Sequence, residues 1–381
     1  MKILLFTEAS SAGVGRHVID LAEGLNFRDN ECHLLYGIAR MDRRFALRVA
    51  QLPQAIALPV QKNPSWSDLR ILLRLRRYIK LHGPFEILHA HSTKAGLLLR
   101  LAAIGCRGSV LYTPHAPLTM NPRLPAAVRI LLAFFEVVLA LLTTRLIAVS
   151  LEEADHLTTC GVPPQKISVV SNGIEERTPP APGKAQVLGS VRIGFLGRLS
   201  SQKNVGLLLD AFASAFRKED SASLVIGGTG PELGILQAKA EALAIGNRVT
   251  WLGACTADAI NEFDIFAIPS AYEGMPYVLL EALSAGIPVV ATAVGGVRSV
   301  VSDGVEGFVV QPGATIQFAA ALRKLATNEA LRKSFGRQAA IRASQFPLSR
   351  MIAETVSVYQ ESICTVKRAT VGVRTSAAAG D

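Results

Sequence analysis

Short apolar runs rich in Ile, Leu and Val alternate along this chain with longer segments whose apolar positions recur at helical spacing. Runs at 2–8, 32–38, 56–60, 86–92, 110–115, 145–150 and 167–170 are short and rich in apolar residues, which predicts strands. A second series of the same kind begins at Val191 and ends near Val309. Between them, 171–190 holds NGI and then TPPAPGK, rich in turn formers and without periodicity, and reads as an interdomain linker. Repeated strand–helix units predict two Rossmann-like α/β domains with parallel sheets. The boundaries expected are 1–175 and 176–345, followed by a helix over 346–368 and a frayed tail over 369–381.

Composition narrows the setting. At 381 residues with half of them hydrophobic, there is material for two domains, each with its own core. Cys32, Cys106, Cys160, Cys255 and Cys364 are scattered, with no C-x-x-C pair or His/Cys run at ligand spacing, which argues for a reducing compartment and against a zinc site. The opening MKILLFTE lacks a signal-length apolar segment and reads as the first strand of a cytoplasmic chain.

Charge is uneven: residues 1–175 hold 20 basic and 13 acidic side chains, the remainder 20 and 17. Much of that excess sits in DLRILLRLRRYIK at 68–80. There Arg70, Arg74 and Arg77 share a stripe with Arg76 and Lys80 beside it, opposite Ile71, Leu72, Leu75 and Ile79. Such a helix suits an anionic lipid surface as well as it suits a solvated face. Nucleic acid is disfavoured, because no aromatic reading surface accompanies the charge. Residues 128–144 are apolar apart from Arg129, Glu136 and the final threonines; Arg129, Ala133, Glu136 and Ala140 form a narrow small-or-polar stripe. The uncharged stretches on either side of Glu136 are shorter than the roughly 20 apolar residues a bilayer requires, so a packed helix with one side free for lipid fits better than a membrane span.

Chemistry concentrates at 270–292, SAYEGMPYVLLEALSAGIPVVAT. The run before it reads as a buried strand, Pro276 suits the first turn of a helix over 277–285, and Gly286 suits its stop. Glu273 therefore falls in a strand-to-helix loop, where open α/β sheets bind ligands, and Glu281 on the helix behind it. Backbone N–H groups over Gly274, Met275, Pro276 and Tyr277 would face an anion such as a phosphate, with proline contributing no donor. Two acids beside a phosphate site suit hydroxyl recognition, and sugar hydroxyls fit. Upstream, VRIGFLGRL ends in Gly197-Arg198, with Lys203-Asn204 following, and an Arg fork beside a Lys charge can clamp a diphosphate.

Glu-x7-Glu followed by GIPVVAT and Val294-Gly295-Gly296, together with GR-x4-KN, resembles the donor site of the retaining GT-B glycosyltransferases of family 4. SLVIGGTGPE and VTWLG match further elements of that family, although Trp251 itself reads as local core. The resemblance places Glu273 on the transferred sugar and Glu281 on the ribose. SSAGVGRH after the first strand resembles the family's donor loop; Ala12-Gly13 stands where Gly-Gly is commoner, so the donor contact carries to Gly13 and stays open for Ala12. His115, in LYTPHAP, resembles the active-centre histidine of the phosphatidylinositol mannosyltransferases. In EILHAHSTKAG, His91 is the better cleft candidate, His89 an orienting residue, and Lys94 a candidate for an anionic acceptor group.

The resemblance implies two facing Rossmann-like domains with a C-terminal helix crossing back to the first. It also implies a metal-independent hexosyl transfer from a UDP- or GDP-sugar to an acceptor hydroxyl. Catalytic roles would fall on His115, Arg198, Lys203 and Glu273, and donor binding on Gly13, Gly197, Arg198, Lys203, Glu273 to Pro276 and Glu281. Membrane-face work on a lipid-linked acceptor, in polysaccharide or glycolipid synthesis, follows from the charge and the apolar helix. A sugar-nucleotide epimerase or a non-catalytic GT-B-like binding protein would share the fold. A glycoside hydrolase needs no phosphate clamp, and its two carboxyls flank a cleft instead of sharing one element.

Overall fold

The computed structural model describes residues 1–175 and 190–377, with side chains of the last helix as far as Val366. The expected linker, from 176 to 189, lies outside the described residues. Two compact units emerge, Met1–Asn172 with Leu348–Asp381, and Gly173–Pro347.

The first unit runs β1 (Lys2–Thr7), α1 (Ala12–Phe27), β2 (Glu31–Gly37), α2 (Arg43–Val49), β3 (Ala55–Leu58), α3 (Ser67–His82), β4 (Ile87–His91), α4 (Thr93–Ala102), β5 (Ser109–Thr113), α5 (Ala126–Ala140), β6 (Arg145–Ala148), α6 (Leu151–Thr159) and β7 (Ile167–Val169). Its sheet is parallel in the order β3-β2-β1-β4-β5-β6-β7. The second unit runs β8 (Val191–Leu196), α7 (Val205–Ala215), β9 (Ala222–Gly227), α8 (Leu233–Ala242), β10 (Val249–Gly253), β11 (Ile265–Ile268), α9 (Tyr277–Ser284), β12 (Val289–Thr292), α10 (Val297–Val300), β13 (Gly307–Val310), α11 (Thr315–Thr327) and α12 (Glu329–Ala343). Its parallel order is β10-β9-β8-β11-β12-β13. In each sheet the order reverses beside the first strand, between β1 and β4 and between β8 and β11. Connections leave such a switch point in opposite directions and open a crevice at the carboxyl ends.

The last helix, α13 (Leu348–Ala377), belongs to the first unit. Met351, Ile352, Val358 and Tyr359 are buried with Leu5, Val18 and Ile19, so the helix covers the α1 side of the sheet. It begins after Pro347 and its backbone runs to Ala377; residues 378–381 of the expected tail lie outside the described residues. Trp251 packs partly buried against the second unit's core, as its sequence setting suggests.

On the opposite side of the first sheet, α3 buries Ile71, Leu75 and Ile79, and α4 buries Ala95, Leu98, Leu99 and Ala102. Helix α5 reverses the usual amphipathic arrangement. Its single acid, Glu136, turns inward to the buried Arg100 of α4 at 2.6 Å, and Arg100 also stacks 4.2 Å from the Tyr112 ring. Lys166 caps the far end by donating to the carbonyls of Ala140 and Thr143. Ala140 is buried, whereas Ile130, Leu131, Phe134, Phe135, Val138 and Leu141 are exposed, with Ile130 at 71% and Leu141 at 78%. The small-or-polar stripe is the packed face, and the apolar circumference is free.

Breaking that ion pair strands a charge. Arg100→Ala is expected to destabilise the first unit by about 3–5 kcal/mol in urea unfolding, with Arg100→Met plus Glu136→Leu recovering most of the loss. Equal stability of the single variant and wild type would show that the pair does not anchor α5.

Candidate active site

In the first unit the site is built from turns at the carboxyl ends of β1, β4 and β5. Four non-glycine residues there take left-handed backbone: Ala12 (φ 51°), Ser92 (φ 77°), His115 (φ 55°) and Ala116 (φ 66°). Each such residue costs about 1–3 kcal/mol and persists only where surrounding groups fix it. A carboxylate does so at every one of these turns. Asp42 accepts the Ala12 N–H at 3.0 Å and also caps α2. Glu8, buried, accepts the Ser92 hydroxyl and, at 3.1 Å, the Ala95 N–H. Glu153, fully buried, accepts the Ala116 N–H at 2.8 Å and the Val149 N–H at 2.7 Å.

These turns gather histidines. His91 Nδ1 lies 3.2 Å from His115 Nε2, and the His17 and His115 ring centres are 4.6 Å apart. His17 Nδ1 meets Asn172 Oδ1 at 3.0 Å. His89 lies on the same strand face as His91 but is wedged between the Tyr359 hydroxyl at 2.7 Å and the Thr113 hydroxyl at 2.9 Å, which gives it a structural task. His91 Nε2 is buried without a partner among the described residues. Burial pushes the His17 imidazole down to about 4, and holds those of His89, His91 and His115 well below the ordinary value. At neutral pH the cluster is a set of uncharged donors and acceptors.

His17, His91 and His115 also offer nitrogen atoms within 4.8 Å of one another, the group among the described residues that comes nearest to a metal-ligand set. Nitrogen atoms this close could together hold a metal ion, with imidazole nitrogens as its ligands. The His91–His115 contact is at hydrogen-bond distance, with the tautomers setting which ring donates.

In the second unit, β11 leads into a buried loop carrying Glu273, Gly274, Met275 and Pro276, and α9 follows with Pro276 at its N-cap and Glu281 buried. Glu273 accepts Lys203 Nζ at 2.6 Å and Ser270 Oγ at 2.7 Å. The Gly295-Gly296 turn clamps this loop from behind: Gly296 N–H donates to the Gly274 carbonyl at 2.5 Å. A Cβ on Gly295 (φ 45°) would overlap the Glu273 carbonyl oxygen. At the neighbouring strand end, a Cβ on Gly228 (φ 133°) would overlap the Gly197 carbonyl oxygen. Arg198, just beyond Gly197, is exposed and has no side-chain partner among the described residues, which leaves its guanidinium free to meet an anion.

Of the expected residues, Lys203 and Glu273 are in direct contact, Arg198 lies on the same β8–α7 connection as Lys203, and Glu281 sits on the helix behind the loop. Gly13 is exposed in the first turn of α1, next to the left-handed Ala12. Lys94 is corrected. Its ammonium donates to the carbonyls of Gln61 and Asn63, each at 2.8 Å, and pairs with Asp68 at 2.7 Å. Those contacts use all three donors and tie down the segment before α3. Glu8, Asp42 and Glu153 were not singled out from the sequence. Ser150-x-x-Glu153 carries a capping-box signal, and the Glu153 N–H does donate to Ser150 Oγ, but the carboxylate reaches the Val149 and Ala116 amides instead of Ser150's own.

The sequence model for Glycosyltransferase Family 4 matches residues 11–177, and that for Glycosyl transferases group 1 matches residues 184–342. The chain belongs to the GT-B glycosyltransferases of family 4. This glycosyltransferase is 27% identical to phosphatidyl-myo-inositol mannosyltransferase of Mycobacterium leprae, over 91% of this chain and 92% of that one. It is 29% identical to the Escherichia coli UDP-Gal:alpha-D-GlcNAc-diphosphoundecaprenol alpha-1,3-galactosyltransferase, over 69% of this chain and 72% of that one. Among solved structures, Anabaena HepE in complex with UDP and glucose is 22% identical and superposes with a TM-score of 0.80, covering 95% of this chain and 100% of that one. Sucrose-phosphate synthase of Thermosynechococcus elongatus, 18% identical, gives 0.81, with 96% and 100% covered.

The buried imidazoles make stability pH-dependent. Their folded pKa values lie below the ordinary 6.5, so their contribution is complete above pH 6.5 and is lost as pH falls toward about 4, the His17 value. For His17 alone the loss is about 3 kcal/mol by pH 4. Glu153 opposes this, because burial pushes its carboxyl up from 4.5 to about 7 and its cost grows as pH rises through that window. Four imidazoles outweigh one carboxyl, so thermal midpoints are expected to fall between pH 6.5 and 5, less steeply in His17→Gln. Identical pH slopes for the two proteins would contradict the burial argument.

Proposed function

We propose that this glycosyltransferase moves a hexosyl group from a nucleoside diphosphate sugar, UDP- or GDP-linked, to an acceptor hydroxyl with retention of configuration. The observation that carries the reading is the Lys203–Glu273 pair at the carboxyl end of the second sheet, with the unpartnered Arg198 on the same connection as Lys203. Arg198 and Lys203 receive the diphosphate and stabilise the charge that develops on it as the sugar leaves. Backbone N–H groups of the loop beginning at Gly274 assist at the start of α9. Glu273, fixed by Lys203 and Ser270, takes hydroxyls of the transferred sugar, and Glu281 takes the ribose. Gly197 and Gly13 allow close backbone approach, and His115, with His91 beside it, meets the reacting sugar and acceptor. The leaving phosphate oxygen helps to take the acceptor proton, so no protein nucleophile and no metal are assigned. The complex of HepE with UDP and glucose supports such a donor.

The acceptor proposed is lipid-linked, met at the inner face of the cytoplasmic membrane during polysaccharide or glycolipid synthesis. The names of the two relatives above, which act on a diphosphoundecaprenol and a phosphatidylinositol compound, support this. No described helix is long and apolar enough to cross a membrane. Instead, one helical layer of the first unit carries both elements of an interfacial face. Helix α3 and the residue before it expose Trp66, Leu69, Leu73 and Leu81 among Arg70, Arg74, Arg77 and Lys80, and α5 exposes its apolar side. Arg76 drops out of the basic stripe, because it donates to the carbonyls of Ala102 and Ile104 at the end of α4.

For the donor site, Arg198→Ala is expected to lower turnover by about 10²–10³-fold in a folded protein. In calorimetry with UDP and GDP, Glu281→Ala is expected to weaken nucleotide binding while Glu273→Ala spares it. Equal losses in the two glutamate variants would defeat the division of labour.

For the membrane face, each exposed basic side chain near an anionic surface contributes about 1 kcal/mol. Wild type is expected to co-sediment with phosphatidylglycerol vesicles in a salt-sensitive way, and the variant with Arg70, Arg74 and Arg77 changed to Glu is expected to stay in solution. Equal partitioning would remove α3 from the argument and favour a soluble acceptor.

A further inference from the structure

The loop after β5 has a feature that the transfer reaction alone does not explain. Two consecutive non-glycine residues, His115 and Ala116, hold left-handed φ of 55° and 66°. L-residues avoid that region, because Cβ crowds the following carbonyl, and two in succession need an external restraint. Among the described residues, the acceptor of the Ala116 N–H is one side chain. Glu153 is fully buried in the first turn of α6, and its two oxygens are divided: Oε1 takes the Ala116 N–H at 2.8 Å and Oε2 takes the Val149 N–H at 2.7 Å. Val149 directly follows β6, so the carboxylate ties the turn after β5 to the rigid end of the next strand. The Ser150 hydroxyl accepts the Glu153 N–H at 3.1 Å and fixes the start of α6 beneath it. A carboxyl whose two oxygens each accept a main-chain N–H is a short, directional tether.

We infer that Glu153 is a positioning residue for transfer: by accepting the Ala116 amide it holds the left-handed turn that directs the His115 imidazole against His91. This rests on the reading of His115 as a group that meets the reacting sugar. The geometry shows what the tether controls. His115 Nε2 sits 3.2 Å from His91 Nδ1, and its ring lies 4.6 Å from that of His17. If the turn relaxed to ordinary φ, the imidazole would swing away from both partners. Glu153 itself need not touch any substrate; its effect passes through the backbone of Ala116. A misplacement of about 1 Å at a reacting centre can cost on the order of 10²-fold in rate.

Glutamine isolates the point. Glu153→Gln keeps the shape but supplies a single acceptor oxygen, so an amide NH2 must face one of the two N–H donors. The expected result, in protein shown to be folded by circular dichroism, is a fall in kcat of about tenfold to a hundredfold with the KM for the nucleotide sugar held within about twofold. Glycine adopts left-handed backbone without penalty, so Ala116→Gly in the Glu153→Gln background is expected to restore much of the lost kcat. Wild-type kcat in folded Glu153→Gln would overturn the inference. So would a double variant that regains thermal stability but not turnover, because that outcome assigns Glu153 to the fold alone. His115→Ala, assayed alongside, separates the two layers: if it is inactive while Glu153→Gln is normal, the positioning inference fails and the reading of His115 stands. If His115→Ala transfers sugar normally, the reading fails and takes the inference with it.

Discussion

A parallel sheet whose strand order reverses must send successive connections to opposite faces from neighbouring strand ends, and the chain there has almost no room to turn. In the first unit that constraint falls between β1 and β4. The turns after β1 and β4, and the turn after the adjacent β5, are left-handed at Ala12, Ser92, His115 and Ala116, none of which is glycine. Their side chains are therefore retained, but the backbone strain must be offset, and it is offset by negative charge. Asp42, Glu8 and Glu153 each accept main-chain or hydroxyl hydrogens at one of these turns. A buried carboxylate without such donors would be costly, and a left-handed alanine or histidine without such an acceptor would relax. Each solves the other's problem, and the histidine cluster stands on the result.

The second unit answers the same constraint differently. Its strand ends use glycine where backbones nearly touch, Gly228 against Gly197 and Gly295 against Glu273. Main chain can then approach closely, which suits a ligand gripped by amides, whereas the first unit keeps side chains at its turns, which suits recognition by imidazole and carboxyl. The Lys203–Glu273 pair adds order to the glycine-built site, since Glu273 is held by both Lys203 and Ser270 before any ligand arrives. Under the proposed reading this lowers the cost of ordering the carboxylate when a sugar binds.

The legible part of the sequence was what periodicity and local motifs encode. All seven strands of the first sheet and the β11–α9 connection lie where apolar runs and the Pro276 and Gly286 signals put them; the inner strands are buried on both faces, while the edge strands β3 and β7 are partly exposed. What stayed hidden depends on partners far away in sequence. Lys94 looked available until Gln61, Asn63 and Asp68 were seen to use all its donors. Glu153 looked like one of several acids in SLEEAD; only the fold brings Ala116 to it. Positive φ at a histidine has no sequence signature, and the commoner glycine would have been easier to read at Ala12.

Helix α5 shows why amphipathicity alone does not say which face packs. Its narrow stripe holds one acid and small residues, and on hydrophobicity that side would point to solvent. Arg100 reverses the outcome. The guanidinium is already buried against Tyr112 and cannot be left unpaired, so it draws Glu136 inward, and the stripe's alanines let the helix lie close. Once the acid is committed to the interior, α5 has only apolar side chains to present on its far side. An exposed apolar face of that size marks a surface suited to an apolar partner. The exposed arginines of α3 lie on the same side of the sheet and, under the proposed reading, suit an anionic surface. A buried ion pair of modest net worth to stability thus shapes the outer face of the unit, and under the proposed reading it is what makes that face suited to lipid.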